Sequence, residues 1–489
     1  MKAPTNYYSI LGLPRDASPD EIRAAYRELA RRFHPDTSNE SDSSDQFIRI
    51  QKAFEVLADP VQRQAFDAQL PAEIDANPIR ITSLFSRGHL QRIAEAQIFY
   101  AFYRFSARED IVDNYLPPLN VCLLIDCSTS MQGIAMDTLK STAISLVRQL
   151  RPEDIISVVT FADHAQVIVP TNINQEPAKI EASIRMLRTG GGTEIFKGLE
   201  KAVKEVKRYR SNKRINHIIL ITDGRTYGDE KLCIELANEA GEIGIGISGL
   251  GIGTKWNDAF LDQLVSRTGG SSIYVAQPKD IDHYLKEKFS GLNSSFADNL
   301  QLAFKSDELV ELRSAFRLQP NTAKLDVSTQ PIRLGTIPRQ GCLEIMLEFQ
   351  VQPLPEHLKH VNLLDGRLYL DIPGKADPRV SVRMECTRTA SDSPDPLPPP
   401  QAIVQSLSQV TLYQIQERAR EDLANGNVNE ATRKLQYLAT HLIAQGQRDL
   451  ARTVLGEAVH IQQKSSFSEE GDKRIKYGTR ALLLTANSD

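Results

Sequence analysis

The stretch VCLLIDCSTS, residues 121–130, decides the fold of the central part of this chain. Its apolar run ends at Asp126, which is the pattern of a strand buried on both faces of a parallel sheet. Three further apolar runs follow, at 155–161, 217–221 and 243–252. Helical patterns lie between them, at 136–150, 195–209 and 230–241. Strands that alternate with helices predict a doubly wound α/β sheet.

Three clusters of oxygen-bearing side chains fall at or near the carboxyl ends of these strands, where sheets of this class bind ligands. The clusters are Asp126-Cys127-Ser128-Thr129-Ser130, Gly190-Gly191-Gly192-Thr193 and Thr222-Asp223-Gly224. Two carboxylates and three hydroxyls make a hard, all-oxygen donor set that suits Mg²⁺. Each cluster taken alone is also explained as a helix cap or a turn.

In this order and spacing, the three clusters together resemble the von Willebrand factor type A domain and its metal-ion-dependent adhesion site. The resemblance runs over about 119–290 and includes Gly251-Ile252-Gly253-Thr254. It implies a site for Mg²⁺ or Mn²⁺ whose ligands, some through water, are Asp126, Ser128, Ser130, Thr193 and Asp223. It also implies an open coordination position that a carboxylate of a protein partner fills, so the site would recognise a partner and catalyse nothing.

Two amphipathic helices are predicted near the N-terminus, on either side of His34-Pro35-Asp36. Ser18-Pro19-Asp20-Glu21 is a strong start for the first helix, because Ser18 can cap it and Glu21 completes a capping box. Pro35 forces the chain out of the helix, so the two helices must pair with His34-Pro35-Asp36 exposed at the tip. Short flanking helices are expected near 7–11 and 61–67. Apolar residues recur at helical spacing at Ile22, Tyr26, Leu29, Phe33, Phe47, Ile50, Phe54 and Leu57.

A line of arginines on the first helix is usually a solvated face. Combined with the motifs YSILGL, RFHPD and AFEVL, however, the segment 1–70 resembles the J domain along its whole length. The resemblance implies that this segment stimulates ATP hydrolysis by a DnaK-type chaperone. The residues it assigns to chaperone binding are His34, Pro35, Asp36, Arg23, Arg27, Arg31 and Arg32. No Gly/Phe-rich stretch and no cysteine-rich zinc module follow, so client selection must lie further along the chain.

Residues 297–388 alternate apolar and polar side chains, as at Leu343, Ile345 and Leu347, which predicts antiparallel strands and most simply a β-sandwich. The run 97–106 within segment 95–118 has the same β character. We expect it to join that sandwich, with the type A domain inserted between its strands. A strand added independently to the type A sheet is the alternative. Residues 71–94 are predicted to be a linker.

The C-terminal part is predicted to be helical. A proline-rich linker at 389–401 leads into a module at 402–489, in which Gly426 and Gly446 end two helices. We interpret this module as an interaction domain, and the alternative is a bundle that packs on the sandwich. The expected fold is therefore multidomain: an all-α J domain, a doubly wound type A domain, a flanking β-sandwich and a helical module. Apolar faces are supplied by Leu435, Leu438, Leu442, Leu450 and Val454.

Length, charge and cysteine content exclude several classes of protein. The chain has 489 residues and a formal net charge of -4, so it is long enough for several domains and has no basic excess for binding nucleic acid. The N-terminus lacks a signal-peptide pattern, and no apolar run approaches the length of a membrane span. We therefore expect a cytoplasmic protein without membrane contact. None of the five cysteines forms a CxxC pair, which favours reduced, buried thiols.

Enzyme activity is not expected, because the sequence contains no HExxH, GxSxG, P-loop or dinucleotide-binding glycine motif. The leading hypothesis is an adaptor that holds a protein partner through the type A domain and delivers it to a DnaK-type ATPase. The alternative is a partner subunit of an AAA+ ATPase machine, as type A domains are in magnesium chelatases, with the J domain serving its assembly. An extracellular adhesin is disfavoured by the missing signal peptide.

Overall fold

The computed structural model describes residues 7–11, 17, 19–32, 43–67, 78–108, 115–172, 176–226, 228–375, 377–395 and 398–485. In these ranges the chain forms the four units predicted: a small helical unit, an α/β sheet domain, a β-sandwich and a helical bundle. None of the helices in these ranges has both the length and the apolar character that crossing a membrane requires.

The elements are numbered in chain order. The helices are α1 (Tyr7–Leu11), α2 (Pro19–Arg32), α3 (Ser43–Ala58), α4 (Pro60–Asp67), α5 (Ile134–Val147), α6 (Pro177–Arg185), α7 (Ile195–Arg208), α8 (Glu230–Glu242), α9 (Asp258–Ser266), α10 (Ile281–Asn293), α11 (Gln401–Ala424), α12 (Val428–Ala444), α13 (Arg448–Lys464) and α14 (Glu469–Thr485). The strands are β1 (Ile79–Phe85), β2 (His89–Gln91), β3 (Gln97–Ala107), β4 (Leu119–Asp126), β5 (Ile155–Phe161), β6 (Ala165–Val169), β7 (Ile215–Thr222), β8 (Gly246–Ile252), β9 (Ser272–Val275), β10 (Ser295–Lys305), β11 (Val310–Gln319), β12 (Ala323–Leu325), β13 (Ile332–Pro338), β14 (Leu343–Val351), β15 (His360–Asp371) and β16 (Arg379–Ser391).

The N-terminal unit packs α2 against α3 around a small apolar core. The ring of Tyr26 on α2 stacks on that of Phe54 on α3, with centroids 4.1 Å apart. The flanking helices α1 and α4 contribute Tyr8 and Phe66 to the same core, as expected from the sequence. Residues 34–36, predicted at the tip between α2 and α3, lie outside the described residues.

The central sheet has the order β6-β5-β4-β7-β8-β9, and all of its neighbours are parallel except the antiparallel pair β5–β6. Every residue of β4, β5 and β7 is buried, because α5, α6 and α10 cover one face and α7, α8 and α9 cover the other. This two-sided burial explains the uninterrupted apolar runs in the sequence. Since β4 and β7 are adjacent and parallel, their carboxyl ends meet at one edge of the sheet.

The sandwich consists of two five-stranded sheets, β1-β3-β14-β11-β12 and β13-β10-β15-β16-β2, which share one apolar core. Strand β3, which precedes the α/β domain in sequence, pairs antiparallel with β14, which follows it. The register runs from Gln97 opposite Val351 to Phe105 opposite Leu343. The expected insertion is therefore present, and the alternative of a strand added to the central sheet is excluded.

The prediction of a linker at 71–94 is wrong for two segments of it. Strand β1 pairs with β3, and β2 pairs in parallel with β16. Of these strands, Ile79 and Leu90 are buried, whereas all other residues of β1 are exposed or half-buried. Such sparse burial is typical of edge strands, so the sequence lacks the regular alternation that predicts a strand.

The predicted proline-rich linker at 389–401 also begins too early. Strand β16 continues to Ser391, and the segment that follows is tied back to the sandwich. The carboxylate of Asp395 accepts a hydrogen bond from the backbone N–H of Gly88, and His89 Nε2 lies 2.8 Å from the carbonyl oxygen of Ser393. As far as Asp395, this segment is therefore docked on the sandwich.

The strand β11 does not keep the alternation predicted for it, because its sheet is covered on both faces. Arg317, expected on a polar face, is 4% exposed and donates to the carbonyl oxygens of Gly269, Gly270 and Leu334. On the opposite, outer face of the strand, Phe316 meets the ring of Tyr413 on α11 edge-on, with centroids 6.1 Å apart. The helical bundle thus packs on the sandwich, which was the alternative interpretation of the C-terminal module.

The bundle also packs on the α/β domain through a network of ion pairs between buried and half-buried side chains. Lys476 Nζ on α14 lies 2.5 Å from an oxygen of Asp258 and 2.8 Å from one of Asp262, both on α9. Arg480 Nη2 lies 2.7 Å from Asp262, and Arg420 on α11 lies 3.0 Å from Asp258. These contacts fix the last helix, α14, against the domain that carries the predicted metal site.

The state of the cysteines agrees with the prediction of reduced thiols that are mostly buried. All five are free, four of them are buried, and Cys342 is half-buried. Burial raises the pKa of the Cys122 thiol to about 12, so this thiol stays protonated at neutral pH and behaves as a small apolar side chain.

Candidate metal centre

The buried carboxylate of Asp126 is the foundation of the site. Asp126 is the last residue of β4, and β7 ends beside it at Thr222. The hydroxyl of Thr222 donates to Asp126 Oδ2 at 2.7 Å, and the backbone N–H of Ser128 donates to Oδ1 at 2.8 Å. Both carboxylate oxygens are therefore held in place by hydrogen bonds from the two neighbouring strand ends.

Two serine hydroxyls connect the loop that follows Asp126 to the second predicted carboxylate, that of Asp223. The hydroxyl oxygens of Ser128 and Ser130 are 3.1 Å apart, and Ser130 Oγ donates to Asp223 Oδ1 at 2.7 Å. Asp223 directly follows β7. Oxygen donors from the ends of β4 and β7 thus converge.

The glycine-rich loop brings the last predicted ligand, Thr193, to the same place. The N–H of Gly190 donates to the carbonyl oxygen of Cys127 at 2.8 Å, and the carbonyl oxygen of Gly191 accepts from the N–H and hydroxyl of Thr129, both at 3.2 Å. Gly191 has a φ of 84°, which glycine adopts without the steric cost that other residues pay. These bonds dock the loop on the turn that carries Ser130.

The approach of Thr193 to the end of β7 depends on a second glycine. A Cβ atom added at Gly224 would lie 2.8 Å from the hydroxyl oxygen of Thr193, too close for an ordinary contact. The absence of a side chain at Gly224 therefore lets the Thr193 hydroxyl lie against the loop of Asp223.

Four of the five predicted ligands line one open cavity of about 370 Å³. Ser128, Ser130, Thr193 and Asp223 line it, whereas Asp126 lies behind this surface, bonded to the backbone of Ser128. The remaining lining residues are Thr129, Gly191, Gly192, Gly224, Arg225, Lys255 and Glu469.

The electrostatics of the two carboxylates favour a bound cation. Burial raises the pKa of Asp126, and the neighbouring charge of Asp223 raises it further, although hydrogen bonds from Ser128 and Thr222 oppose the shift. Burial likewise raises the pKa of Asp223. Both ionised carboxylates are therefore destabilised in the cavity unless a positive charge compensates them.

The donor set fits a hard metal ion. The described residues contain no group of three or more His, Cys, Asp and Glu side chains that could hold a metal, so the centre depends on two carboxylates supplemented by hydroxyls. An all-oxygen set of this kind suits Mg²⁺ or Mn²⁺ rather than Zn²⁺. The assignment of individual ligands stays a prediction.

The structure describes only some of the residues that are predicted to bind a chaperone. Arg23 and Arg27 lie one turn apart on an exposed face of α2, where Arg23 pairs with Asp20 at 3.1 Å and Arg27 Nε donates to the carbonyl oxygen of Arg23 at 3.2 Å. Arg31 and Arg32 end that helix, but their side chains and the residues His34, Pro35 and Asp36 lie outside the part of the chain that the structure describes.

Several residues that line or support the site were not predicted from the sequence. Thr222 stood inside a recognised cluster, yet its bond to Asp126 becomes visible only once β4 and β7 are adjacent. Asp163, which accepts a hydrogen bond from the N–H of Gly192 at 2.7 Å, comes from the turn after β5. Arg225, Lys255 and Glu469 carried no signal in the sequence.

Comparisons with known proteins identify three domains of this chain. Family models match residues 6–67 as a DnaJ domain, 120–287 as a von Willebrand factor type A domain and 401–485 as a Sll0103-like, C-terminal alpha-helical domain. The chain therefore combines a J domain with a type A domain, as the two resemblances indicated. The third match is new, and it covers the helical bundle.

One relative spans most of the chain. The uncharacterized protein sll0103 of Synechocystis sp. is 28% identical over 396 residues, which is 77% of this chain and 91% of that protein. The curved DNA-binding protein of Coxiella burnetii is 49% identical over 63 residues, and the chaperone protein DnaJ of Enterococcus faecalis is 42% identical over 77 residues. Each of these two matches covers 20% of the matched protein.

Two solved structures show the same fold. A von Willebrand factor type A protein from Catenulispora acidiphila has a TM-score of 0.62 and 15% identity, with 84% of this chain and 98% of that chain covered. The ArnB paralog VWA2 from Sulfolobus acidocaldarius has a TM-score of 0.54 and 14% identity, with 83% and 98% covered.

Proposed function

We propose that this protein is a non-enzymatic co-chaperone and adaptor. Its J domain would stimulate ATP hydrolysis by a DnaK-type chaperone, and its type A domain would bind a protein partner in a Mg²⁺-dependent way. The observation that carries this proposal is the convergence of oxygen donors from three separate loops on one open cavity, in a chain that also carries a J domain. Because the proposed ATPase partner is a DnaK-type chaperone, we propose the cytoplasm as the place of action.

The type A site would bind a partner protein and would not catalyse a reaction. Asp126, Ser128, Ser130, Thr193 and Asp223 would hold Mg²⁺ or Mn²⁺, which when bound supplies a coordination position for a carboxylate oxygen of the partner. The bond from Thr222 orients Asp126, and that from Ser130 orients Asp223, so the donors are preorganised before any partner arrives.

Positive side chains at the cavity favour an acidic partner. Arg225 and Lys255 both line it, and Arg225 Nε donates to the carbonyl oxygen of Lys255 at 3.0 Å, which links the loops after β7 and β8. The charge of Lys255 also lowers the pKa of Asp223, against the larger effect of burial. Complementary charge of this kind speeds association and selects among partners.

The J domain offers a cationic surface of its own. Arg23 and Arg27 lie one turn apart on the exposed side of α2, so both guanidinium groups are accessible to an acidic surface of the chaperone. Since exposed charges are screened by salt, this contact should weaken as ionic strength rises.

The chaperone function is tested at His34. In the His34→Gln variant, stimulation of a cognate DnaK-type ATPase is expected to be lost, because the resemblance to J domains assigns His34 to the contact with the chaperone. Single-turnover ATP hydrolysis with the full-length chain measures the effect. Gln64→Ala, on the exposed side of α4, is the control and should stimulate like the wild type. Undiminished stimulation by a folded His34→Gln protein would remove the co-chaperone proposal.

The adaptor function is tested by affinity capture with the full-length chain. Proteins retained by the wild type in Mg²⁺ are expected to be lost in EDTA and from an Asp126→Ala column, while the DnaK-type chaperone stays bound to the Asp126→Ala column in Mg²⁺ and ATP. Retention of the same proteins under all three conditions contradicts metal-dependent binding. An AAA+ subunit among the metal-dependent proteins would instead favour the second hypothesis, a partner subunit of such a machine.

A further inference from the structure

One wall of the candidate metal cavity does not belong to the type A domain. Glu469, the first residue of α14, lines the cavity together with Ser130 and Asp223. Its Oε2 atom accepts a hydrogen bond from the hydroxyl of Thr254 at 3.3 Å. Thr254 follows β8, so the C-terminal helical domain places a carboxylate at the mouth of the site.

The start of α14 is anchored immediately before this carboxylate. Ser468 donates its backbone N–H and its hydroxyl to the two oxygens of Glu457, at 2.9 and 2.6 Å, and Glu457 is buried. The hydroxyl of Ser468 also accepts from the N–H of Gly471 at 3.0 Å, which caps the helix. The backbone at Glu469 therefore has a defined position.

Contacts one and two turns further along press α14 on the type A domain. Lys473 donates to the carbonyl oxygen of Trp256 at 2.6 Å and lies 4.1 Å from the centroid of its ring. Lys476 pairs with Asp258 and Asp262. Because both lysines are nearly inaccessible, with side chains 5% and 3% exposed, the helix cannot leave without uncovering buried charges.

The neighbouring Glu470 behaves differently, although it has the same chemistry and is equally part of the first helical turn. It pairs with Arg474 on its own helix, at 2.9 Å, and is absent from the residues that line the cavity. The two adjacent glutamates thus separate the effect of charge near the helix start from the effect of a carboxylate in the cavity.

A second carboxylate entering the cavity would meet Glu469. Arg225 and Lys255 attract an acidic group to this place, but Glu469 already provides one there. Like charges in a partly enclosed site repel each other, so a partner carboxylate and Glu469 compete for the same positive surroundings.

We propose that Glu469 is a built-in acidic ligand of the candidate metal site, which an acidic segment of a partner protein must displace. The proposal rests on the proposed Mg²⁺-dependent function of that site. It assigns the C-terminal helical domain a role in gating the type A domain, and it identifies the partner segment by chemistry, as a peptide rich in Asp or Glu.

The test compares the full-length wild type, Glu469→Gln and Glu470→Gln, with Mg²⁺ alone and a fluorescein-labelled hexaglutamate peptide as probes. Calorimetry measures Mg²⁺ binding, and fluorescence anisotropy measures peptide binding in saturating Mg²⁺ and in EDTA. We expect Glu469→Gln to bind the peptide roughly tenfold more tightly than the wild type in Mg²⁺, within the usual range of coupling between sites. Glu470→Gln should match the wild type, and EDTA should abolish the gain.

The outcomes separate the two proposals. If all three proteins bind Mg²⁺ and Glu469→Gln binds the peptide no better than Glu470→Gln, the built-in ligand is refuted while the metal site stands. An equal gain in both variants also refutes it, because charge near the helix start would then explain the result. If the wild type binds no Mg²⁺, the metal-dependent function fails, and the role of Glu469 fails with it.

Discussion

In the Asp126→Ala variant, millimolar Mg²⁺ is expected to leave the melting temperature of the type A domain unchanged, whereas it raises that of the wild type. A ligand that binds the folded state stabilises it by mass action, by about 2.7 kcal/mol at a hundredfold excess over Kd. For a domain of this size, that corresponds to a rise of about 5–11 °C. Removing Asp126 takes away the carboxylate that Ser128 and Thr222 orient, and with it the response to the metal.

Thermal unfolding of the full-length chain with and without Mg²⁺ measures this effect. Asp137→Ala, an exposed carboxylate in the first turn of α5, is the matched control and should respond like the wild type. Stimulation of the DnaK-type ATPase should be nearly the same in all three proteins, because Asp126 and the J domain belong to separate units. A wild type that shows no calorimetric Mg²⁺ or Mn²⁺ binding at millimolar concentration would contradict the site.

The second large effect is expected from Asp262→Ala, which should lower the free energy of unfolding by about 3–5 kcal/mol. Arg480 donates to both oxygens of Asp262, at 3.1 and 2.7 Å, and its side chain is 9% exposed. Lys476, 3% exposed, loses one of its two carboxylate partners. The substitution leaves two buried cations with too little compensating charge, which costs more than the loss of an exposed pair.

Denaturant-induced unfolding measures this difference. The matched control is Glu235→Ala, which breaks the exposed pair of Glu235 with Lys231 at 3.9 Å on α8 and should change stability by less than about 0.5 kcal/mol. Similar costs for Asp262→Ala and Glu235→Ala would show that the network between α9 and α14 contributes little.

The same network predicts a dependence on pH. Burial alone would raise the pKa of Asp262, but Arg480 and Lys476 more than offset it and hold the pKa well below its usual range. Lys476 and Arg420 do the same for Asp258. A lowered pKa contributes stability that is complete above the unfolded value of about 4 and is lost as pH falls further. The stability difference between wild type and Asp262→Ala should therefore shrink below about pH 4.

Two of the three predicted clusters share one property: each is a short run at the end of a buried strand. Asp126 and Asp223 follow the apolar runs of β4 and β7, and parallel strands bring their carboxyl ends to one edge. The apolar runs and the order of the strands were therefore sufficient to predict that these two carboxylates lie close together.

What the sequence did not predict depends on contacts between distant segments. Arg317 reads as an exposed residue of an alternating strand, and it is buried because it donates to the carbonyl oxygens of Gly269 and Gly270, in the loop after α9. Strand β1 reads as a linker because it is an edge strand with a single buried residue, Ile79. Glu469 reads as an ordinary helix start, since its place at the cavity follows from the docking of the bundle.

The divided sandwich has a consequence for the growing chain on the ribosome. Strand β3 carries Phe99 and Phe105, which are fully buried in the finished protein, between a strand made just before it and one made much later. Leu343 follows Ala107 by roughly 240 residues, which at about 5–20 residues per second corresponds to about 10–50 s of synthesis. During that interval one edge of β3 has no partner strand, while the J-domain segment ahead of it has already been translated. The nascent chain thus exposes an aromatic strand next to its own J domain until translation reaches β14.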